Sequence, residues 1–139
     1  MRREYFTDRN LGRQFALILA DAGLTVHRHD EHFAHDTKDD EWLTAIGKCG
    51  WIAITHDQRI RYKPNELRAV VEASVTLLVV IGKAPFPELA TTFVRTVPAI
   101  ETFLARHQPP LIAKIYRPSP GHTDKRDGAG KVDIWYPPQ

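Results

Sequence analysis

Acidic side chains follow three predicted strands in turn, close to the point where each strand ends. Ligands of an open parallel sheet bind in the crevice outside the carboxyl ends of its strands, so we expect these acids to share one pocket. Carboxylate oxygens are the preferred ligands of hard cations such as Mg²⁺ and Mn²⁺. The pattern therefore predicts a metal site and, through the metal, a phosphate site. The acids concerned are Asp8, Asp39, Asp40 and Asp57.

Each of these acids also has an ordinary structural interpretation. Asp8 and Asp57 suit turn positions, and Asp39 suits the N-cap of the helix that follows it. We favour a site because three such coincidences would have to meet at the same edge of the sheet. Asn10 and Glu66 open helices at that edge, so they are additional candidates for the site as well as helix caps.

Polar and basic residues surround Asp57 in the sequence. A single positive charge is most often a solvated surface residue, but this cluster lies beside the predicted pocket. We therefore expect the basic residues to grip phosphates that flank the metal, and the threonine before Asp57 to donate a hydrogen bond to a carboxylate or phosphate. The predicted substrate-binding residues are Thr55, Arg59, Arg61 and Lys63.

Apolar strands alternate with amphipathic helices along the chain. This alternation predicts a single-domain α/β fold of three layers, doubly wound, with a mainly parallel central sheet flanked by helices. We expect Pro98 to divide the long helix at 87–107, by kinking it or by starting a second helix. The last strand of the sheet, at 110–116, is expected at an edge. The order of the strands cannot be read from the sequence.

Length and composition indicate one ordinary globular domain. The chain has 139 residues, of which 42% are hydrophobic and 26% charged, and its formal net charge of +2 does not by itself favour nucleic acid. We expect the domain at 1–116 and a Pro/Gly-rich charged tail at 117–139, where the segment 131–136 forms an extra strand or docks on a partner. The sequence shows no apolar segment long enough to span a bilayer and no apolar signal-peptide core, so we expect a cytoplasmic protein.

Three short motifs carry a resemblance to a known family. Their order and strand context resemble the PIN-like ribonuclease superfamily, in particular its VapC-like branch, over residues 5–116. The motifs are Asp8-x-x-Leu11, Asp39-Asp-Glu-Trp-Leu43 and Ile54-Thr-His-Asp57.

The resemblance implies a Mg²⁺- or Mn²⁺-dependent endoribonuclease that hydrolyses RNA phosphodiesters. It implies catalytic roles for Asp8, Asp39 and Asp57, with metal bound by these three and by Asp40, which is a near-equal alternative to Asp39. It also implies partners typical of the branch: RNA, a cognate antitoxin protein that holds the enzyme as a toxin, and a second copy in a homodimer. RNA rather than DNA is part of what the resemblance implies.

One departure from the family pattern keeps alternatives open. The family often has a further acid shortly after the third one, and here Gln58, Arg59 and Ile60 follow Asp57. Three alternatives agree with this missing acid. The site binds one metal rather than two, or Glu66 or water supplies the further ligand, or the chain is a catalytically inactive module that binds RNA or protein.

Two rival interpretations come from other residues. A zinc site is conceivable in the histidine-rich loop, although its spacing matches no closed structural motif. A phosphorelay receiver domain is disfavoured because the single Asp8 is followed by Arg9 instead of a second acid. The histidines concerned are His27, His29, His32 and His35.

Overall fold

The computed structural model of the chain describes residues 3–118 and 129–138, apart from the side chain of Arg61. One sheet of mainly parallel strands lies between two layers of helices, which confirms the predicted three-layer α/β fold. The strands are β1 (Glu4–Thr7), β2 (Thr25–Arg28), β3 (Ile52–Thr55), β4 (Thr76–Val80), β5 (Leu111–Ile115) and β6 (Val132–Tyr136). The helices are α1 (Gly12–Asp21), α2 (His29–His32), α3 (Asp39–Cys49), α4 (Pro64–Glu72) and α5 (Phe86–Arg106).

The strand order is β2-β1-β3-β4-β5-β6. The first five strands pair in parallel, and β6 pairs antiparallel to β5. The prediction that 110–116 is an edge strand is wrong, because β6 covers that edge of the described sheet. The segment 131–136 was expected to form an extra strand or to dock on a partner, and it contains the strand β6. Residues 119–128 of the predicted tail lie outside the described residues, and the division of the chain at residue 116 stays a prediction.

Alternate residues of each strand supply two separate cores. Tyr5 of β1 faces α1 and α5, and its neighbour Phe6 faces α3 and α4. Both side chains are almost fully buried, because a central parallel strand is covered on both faces. The same alternation continues along β3 and β4. The two cores therefore determine which face of the sheet each side chain lies on, including the side chain at the end of each strand.

The strand order creates a crevice between β1 and β3. β2 lies on one side of β1 and β3 on the other, so the connections leave β1 and β3 in opposite directions across the sheet. Such a topological switch point is where ligands bind in sheets of the order 2-1-3-4-5. The backbone N–H of Asp8 donates to the carbonyl of Ile54 at 2.9 Å, which holds the ends of the two strands together at this point.

Three local expectations are corrected. Pro98 lies inside α5 and does not start a second helix, and residues on both sides of the proline, such as Phe93, Ile100 and Leu104, are buried in one core. The N-cap of α3 is Lys38, and Asp39 is the first helical residue. The segment described above as a histidine-rich loop contains the single turn α2. Within the described residues, no helix has the length and apolar character needed to span a membrane.

Candidate functional site

Asp8 is a buried carboxylate at the end of β1. Its side chain accepts hydrogen bonds from the Thr55 hydroxyl at 2.8 Å and from the backbone N–H of Arg9 at 2.7 Å, and the residue is only 4% exposed. Burial raises the pKa of Asp8 to about 6, against the lowering effect of the Thr55 hydrogen bond, and the negative charge of Asp39 adds to the rise. Asp8 can therefore gain or lose a proton near neutral pH.

Thr55 connects the two strand ends. Besides donating to Asp8, its hydroxyl oxygen accepts from the Asn10 amide at 3.1 Å and from the backbone N–H of Asp57 at 3.2 Å. The Asn10 side-chain oxygen in turn accepts the backbone N–H of His56 at 3.2 Å. The structure thus brings Asp8, Asn10, Thr55 and Asp57 into one network, and all four are among the residues singled out from the sequence.

Asp57 lies in a different electrostatic environment. Its carboxylate accepts the backbone N–H of Arg59 at 2.9 Å and forms an ion pair with the Lys63 ammonium at 2.6 Å. Burial raises the pKa of Asp57, but the hydrogen bonds from Lys63 and Arg59 outweigh it, so the pKa lies below its usual value. Asp57 therefore stays ionised throughout the neutral range.

The basic residues predicted to bind substrate differ in their surroundings. The pKa of Lys63 is raised chiefly by its hydrogen bond to Asp57, with smaller contributions from Asp39 and Glu66, so its ammonium lies in the field of three carboxylates. The Arg59 side chain is exposed, and the Arg61 side chain lies outside the described part of the structure. Glu66 lies in the first turn of α4.

Asp39 approaches the site from α3. Its carboxylate accepts from the Arg9 guanidinium at 3.2 Å and from the Trp42 indole N–H at 2.9 Å. Asp40 is the next residue of the helix and is half-buried. Of the two alternatives for the second acid, Asp39 is the one whose charge acts on Asp8.

The candidate carboxylates do not form one cluster of metal ligands within the described residues. Within residues 3–118 and 129–138, no group of three or more His, Cys, Asp or Glu side chains is arranged to hold one metal ion. Mg²⁺ is usually held by one or two carboxylates together with water and substrate phosphates. Asp8 and Asp39 are the candidates for that smaller set; Asp39 is paired with Arg9, as Asp57 is with Lys63.

Sequence reasoning missed the site roles of Arg9, His29 and His56. Arg9 connects Asp39 to the buried His29, whose ring Nε2 lies 2.8 Å from the Arg9 Nη1 and accepts its hydrogen bond. Burial and the positive charge of Arg9 lower the pKa of His29, which agrees with a neutral ring. His56 donates through Nδ1 to the Val80 carbonyl at 2.8 Å. The position of His56 beside Asp57 was a usable signal, but nothing local marks His29 as buried.

The other loop histidines do not join this network as one cluster. His27 stacks on Trp51 with ring centroids 3.7 Å apart, and its Nδ1 lies 3.2 Å from Nε2 of His32. The other ring nitrogen of His27 lies 3.0 Å from the Glu4 carboxylate. The four histidines of the loop are thus divided between this stack and the region around Arg9.

Comparisons with known proteins give one positive result. A family model described as a PIN-like domain matches residues 3–82, which is more than half of the chain and contains every candidate site residue. No curated protein and no solved structure gives a significant match.

Proposed function

The chain belongs to the PIN-like domain family, and from that premise we propose that it is a metal-dependent nuclease that hydrolyses RNA phosphodiesters. PIN-like domains are generally nucleases, and RNA is the substrate that the VapC-like pattern of the motifs implies. The same pattern supports a cytoplasmic toxin that pairs as a homodimer and is held by a cognate antitoxin.

The observation that carries the proposal is the opposite tuning of two carboxylates at the β1–β3 switch point. Asp8 has its pKa raised to about 6, and Asp57 has its pKa lowered, although the Asp8 carboxylate and the Asp57 backbone N–H bond to the same Thr55 hydroxyl. Pairs of titratable groups whose surroundings shift their pKa values in opposite directions are typical of acid–base and metal sites.

Each candidate residue would have a distinct role in the reaction. Asp8 and Asp39 would hold a Mg²⁺ or Mn²⁺ ion, which when bound supplies Lewis-acid stabilisation of phosphate charge and acidifies a bound water. Asp57 is ionised and fixed by Lys63, so it can orient the attacking water by accepting a hydrogen bond. The charges of Lys63 and Arg59 both act on Asp57, and these two residues would contact flanking phosphates, a contribution that weakens with salt.

The test is a cleavage assay on the full chain. Labelled RNA and single-stranded DNA are incubated with Mg²⁺, Mn²⁺ or EDTA, using the wild type, Asp8→Asn and Asp57→Asn. We expect cleavage of RNA that requires the metal and falls about a hundredfold or more in either variant. Glu72→Gln, an exposed change at the end of α4, is the matched control and should retain activity. Metal-dependent cleavage that survives in both Asp variants would contradict this site.

A second function is favoured by one feature. Lys63 already neutralises Asp57, and Gln58 stands where the family often has a further acid. A catalytically inactive module that binds RNA or protein would keep such a pocket without turnover. RNA binding with no cleavage under any metal condition, in a protein shown to be folded, would support this alternative.

A further inference from the structure

A pair of aromatic rings with a lysine lies on the surface beside the candidate site. The rings of Tyr62 and Trp135 are nearly perpendicular, with an angle of 80° between their planes and centroids 5.7 Å apart. The Lys114 ammonium nitrogen lies 4.3 Å from the centroid of the Trp135 ring, which is the geometry of a cation–π contact. We name Tyr62, Trp135 and Lys114 the aromatic patch.

The protein core holds this patch in position. Tyr62 ends a single 3₁₀ turn, Ile60–Tyr62, whose first residue is only 1% exposed. The backbone N–H of Tyr62 donates to the Arg59 carbonyl at 2.9 Å, which closes that turn. Trp135 belongs to β6 and packs against the core that α3 and α4 cover. Because both anchors exist before a ligand arrives, binding on the patch has a lower entropic cost of ordering.

A face of the Tyr62 ring is open to solvent. Tyr62 is 68% exposed, the largest value among the exposed large hydrophobic side chains of residues 3–118 and 129–138. In a perpendicular pair, Trp135 can cover at most one face of the tyrosine ring. Lys114 lies over Trp135 rather than over Tyr62. The surface on which a planar ligand can stack is therefore the tyrosine.

The composition of the patch favours a nucleobase as that ligand. Lysine is depleted in protein–protein interfaces, whereas aromatic rings beside positive charges are typical of surfaces that bind single-stranded nucleic acid. Asp133 lies opposite Lys114 in the strand register and is paired with Lys131 at 3.6 Å, so two lysines accompany this one acid. Every base has a π face, so stacking here requires no particular base sequence.

The patch is continuous with the candidate nuclease site. Tyr62 and Lys63 are consecutive, so their Cα atoms are about 3.8 Å apart. The Lys63 ammonium lies 2.6 Å from the Asp57 carboxylate. A strand whose phosphate lies beside Lys63 therefore has a neighbouring base within reach of the Tyr62 ring.

We propose that the aromatic patch stacks a base of single-stranded RNA next to the cleavage position. This inference rests on the proposed function. The bases of a duplex are stacked on one another and their faces cannot reach Tyr62, so the patch selects unpaired RNA as the substrate class. Lys114 and Lys63 contact the phosphates of the same strand.

The experiment compares an RNA strand with an abasic strand of the same length, which keeps the sugars and phosphates and lacks the bases. Both strands carry the same charge, so a difference between them reports contacts to the bases. Binding to the full chain is measured by fluorescence anisotropy in EDTA, which prevents metal-dependent cleavage. We expect the RNA to bind about tenfold tighter than the abasic strand. Equal binding of the two would overturn the proposal, and binding of neither would overturn it in favour of a protein partner on the patch.

Variants of Tyr62 locate the effect. Tyr62→Ala should weaken binding of the RNA about tenfold and leave binding of the abasic strand unchanged. Tyr62→Phe keeps the ring and is the matched control, which should retain the preference for RNA. The side chain is mostly exposed, and a thermal melt of both variants checks that they remain folded. A full preference for RNA in folded Tyr62→Ala would overturn the assignment to this ring.

Adding Mg²⁺ to the same mixtures separates this inference from the proposed function. Base-dependent binding that Tyr62→Ala removes, without any cleavage, would leave the patch in place and refute the nuclease. Cleavage with RNA binding that is the same in wild type and Tyr62→Ala would leave the nuclease in place and refute the patch.

Discussion

Asp8 and Asp57 follow neighbouring parallel strands, and the Thr55 hydroxyl bonds to the carboxylate of Asp8 and to the backbone N–H of Asp57, yet the pKa values of the two carboxylates are shifted in opposite directions. Asp8 is buried and holds a raised pKa of about 6, because desolvation outweighs its hydrogen bonds. The side chain of Asp57 is 17% exposed, and Lys63 lowers its pKa. The same residue type thus yields one group that can exchange a proton near neutral pH and one that stays charged, and the difference comes from the neighbours alone.

The largest expected effect is on the pH dependence of stability in Asp8→Asn. The folded-state pKa of Asp8 lies above the unfolded value, so its favourable contribution is present at low pH and is lost as pH rises through about 6. Relative to the wild type, Asp8→Asn should therefore gain up to about 3 kcal/mol between pH 4 and pH 8. Urea denaturation across this range measures the gain.

Asp57→Asn is the matched comparison. Its stability relative to the wild type should change with pH in the opposite direction. A lowered folded-state pKa contributes stability above the unfolded value, and this contribution is lost as pH falls through the folded one. Asp57→Asn should therefore lose stability relative to the wild type at neutral pH and regain parity in acid. Parallel slopes in the two variants would show that the two carboxylates are not differently tuned.

Thr55→Val tests the hydroxyl that joins the two acids. Valine keeps the shape, but it removes one of the two donors to the Asp8 carboxylate and the acceptor that the Asn10 amide and the Asp57 backbone N–H share. Since Thr55 is fully buried, we expect a loss of about 2 kcal/mol in the free energy of unfolding. Thr55→Ser keeps the hydroxyl and is the control. Equal stability of the Val and Ser variants would mean that this hydroxyl does not hold the network.

Lys63→Gln should give the smallest change. The Lys63 side chain is 37% exposed, so solvent screens the ion pair, and we expect a loss of about 1 kcal/mol at pH 7. The loss should decrease as the pH falls, because Asp57 becomes protonated. Denaturation at pH 7 and at pH 3 measures it, and a loss of the same size at both values would show that packing of the lysine stem, not its charge, is responsible.

The sequence predicted the fold class, and it places the candidate acids at one edge of the sheet, because both depend on local patterns. Apolar runs such as 52–55 are typical of strands buried on both faces, and acids after strands reach the carboxyl edge of any parallel sheet. The family match over residues 3–82 agrees with the motifs from which the resemblance was drawn. None of these features depends on which strands are neighbours in the sheet.

What the sequence did not predict depends on contacts between distant segments. The switch point exists only because β1 lies between β2 and β3, and strand order has no local signature. Arg9 meets His29 across 20 residues, and Asp39 across 30. Pro98 remains inside α5 because tertiary packing of the helix offsets the lost hydrogen bond. β6 joins the sheet through pairing with β5, which neither segment specifies alone.

The most direct test of the central claim is a ¹³C NMR titration of the aspartate carboxyl groups in the full chain, with and without Mg²⁺. Without metal, the Asp8 signal should titrate with a midpoint near 6 and the Asp57 signal below the usual Asp value. Mg²⁺ should lower the Asp8 midpoint, because a bound cation favours the charged form. Coincident midpoints that do not respond to Mg²⁺ would contradict a nuclease site built on two oppositely tuned carboxylates.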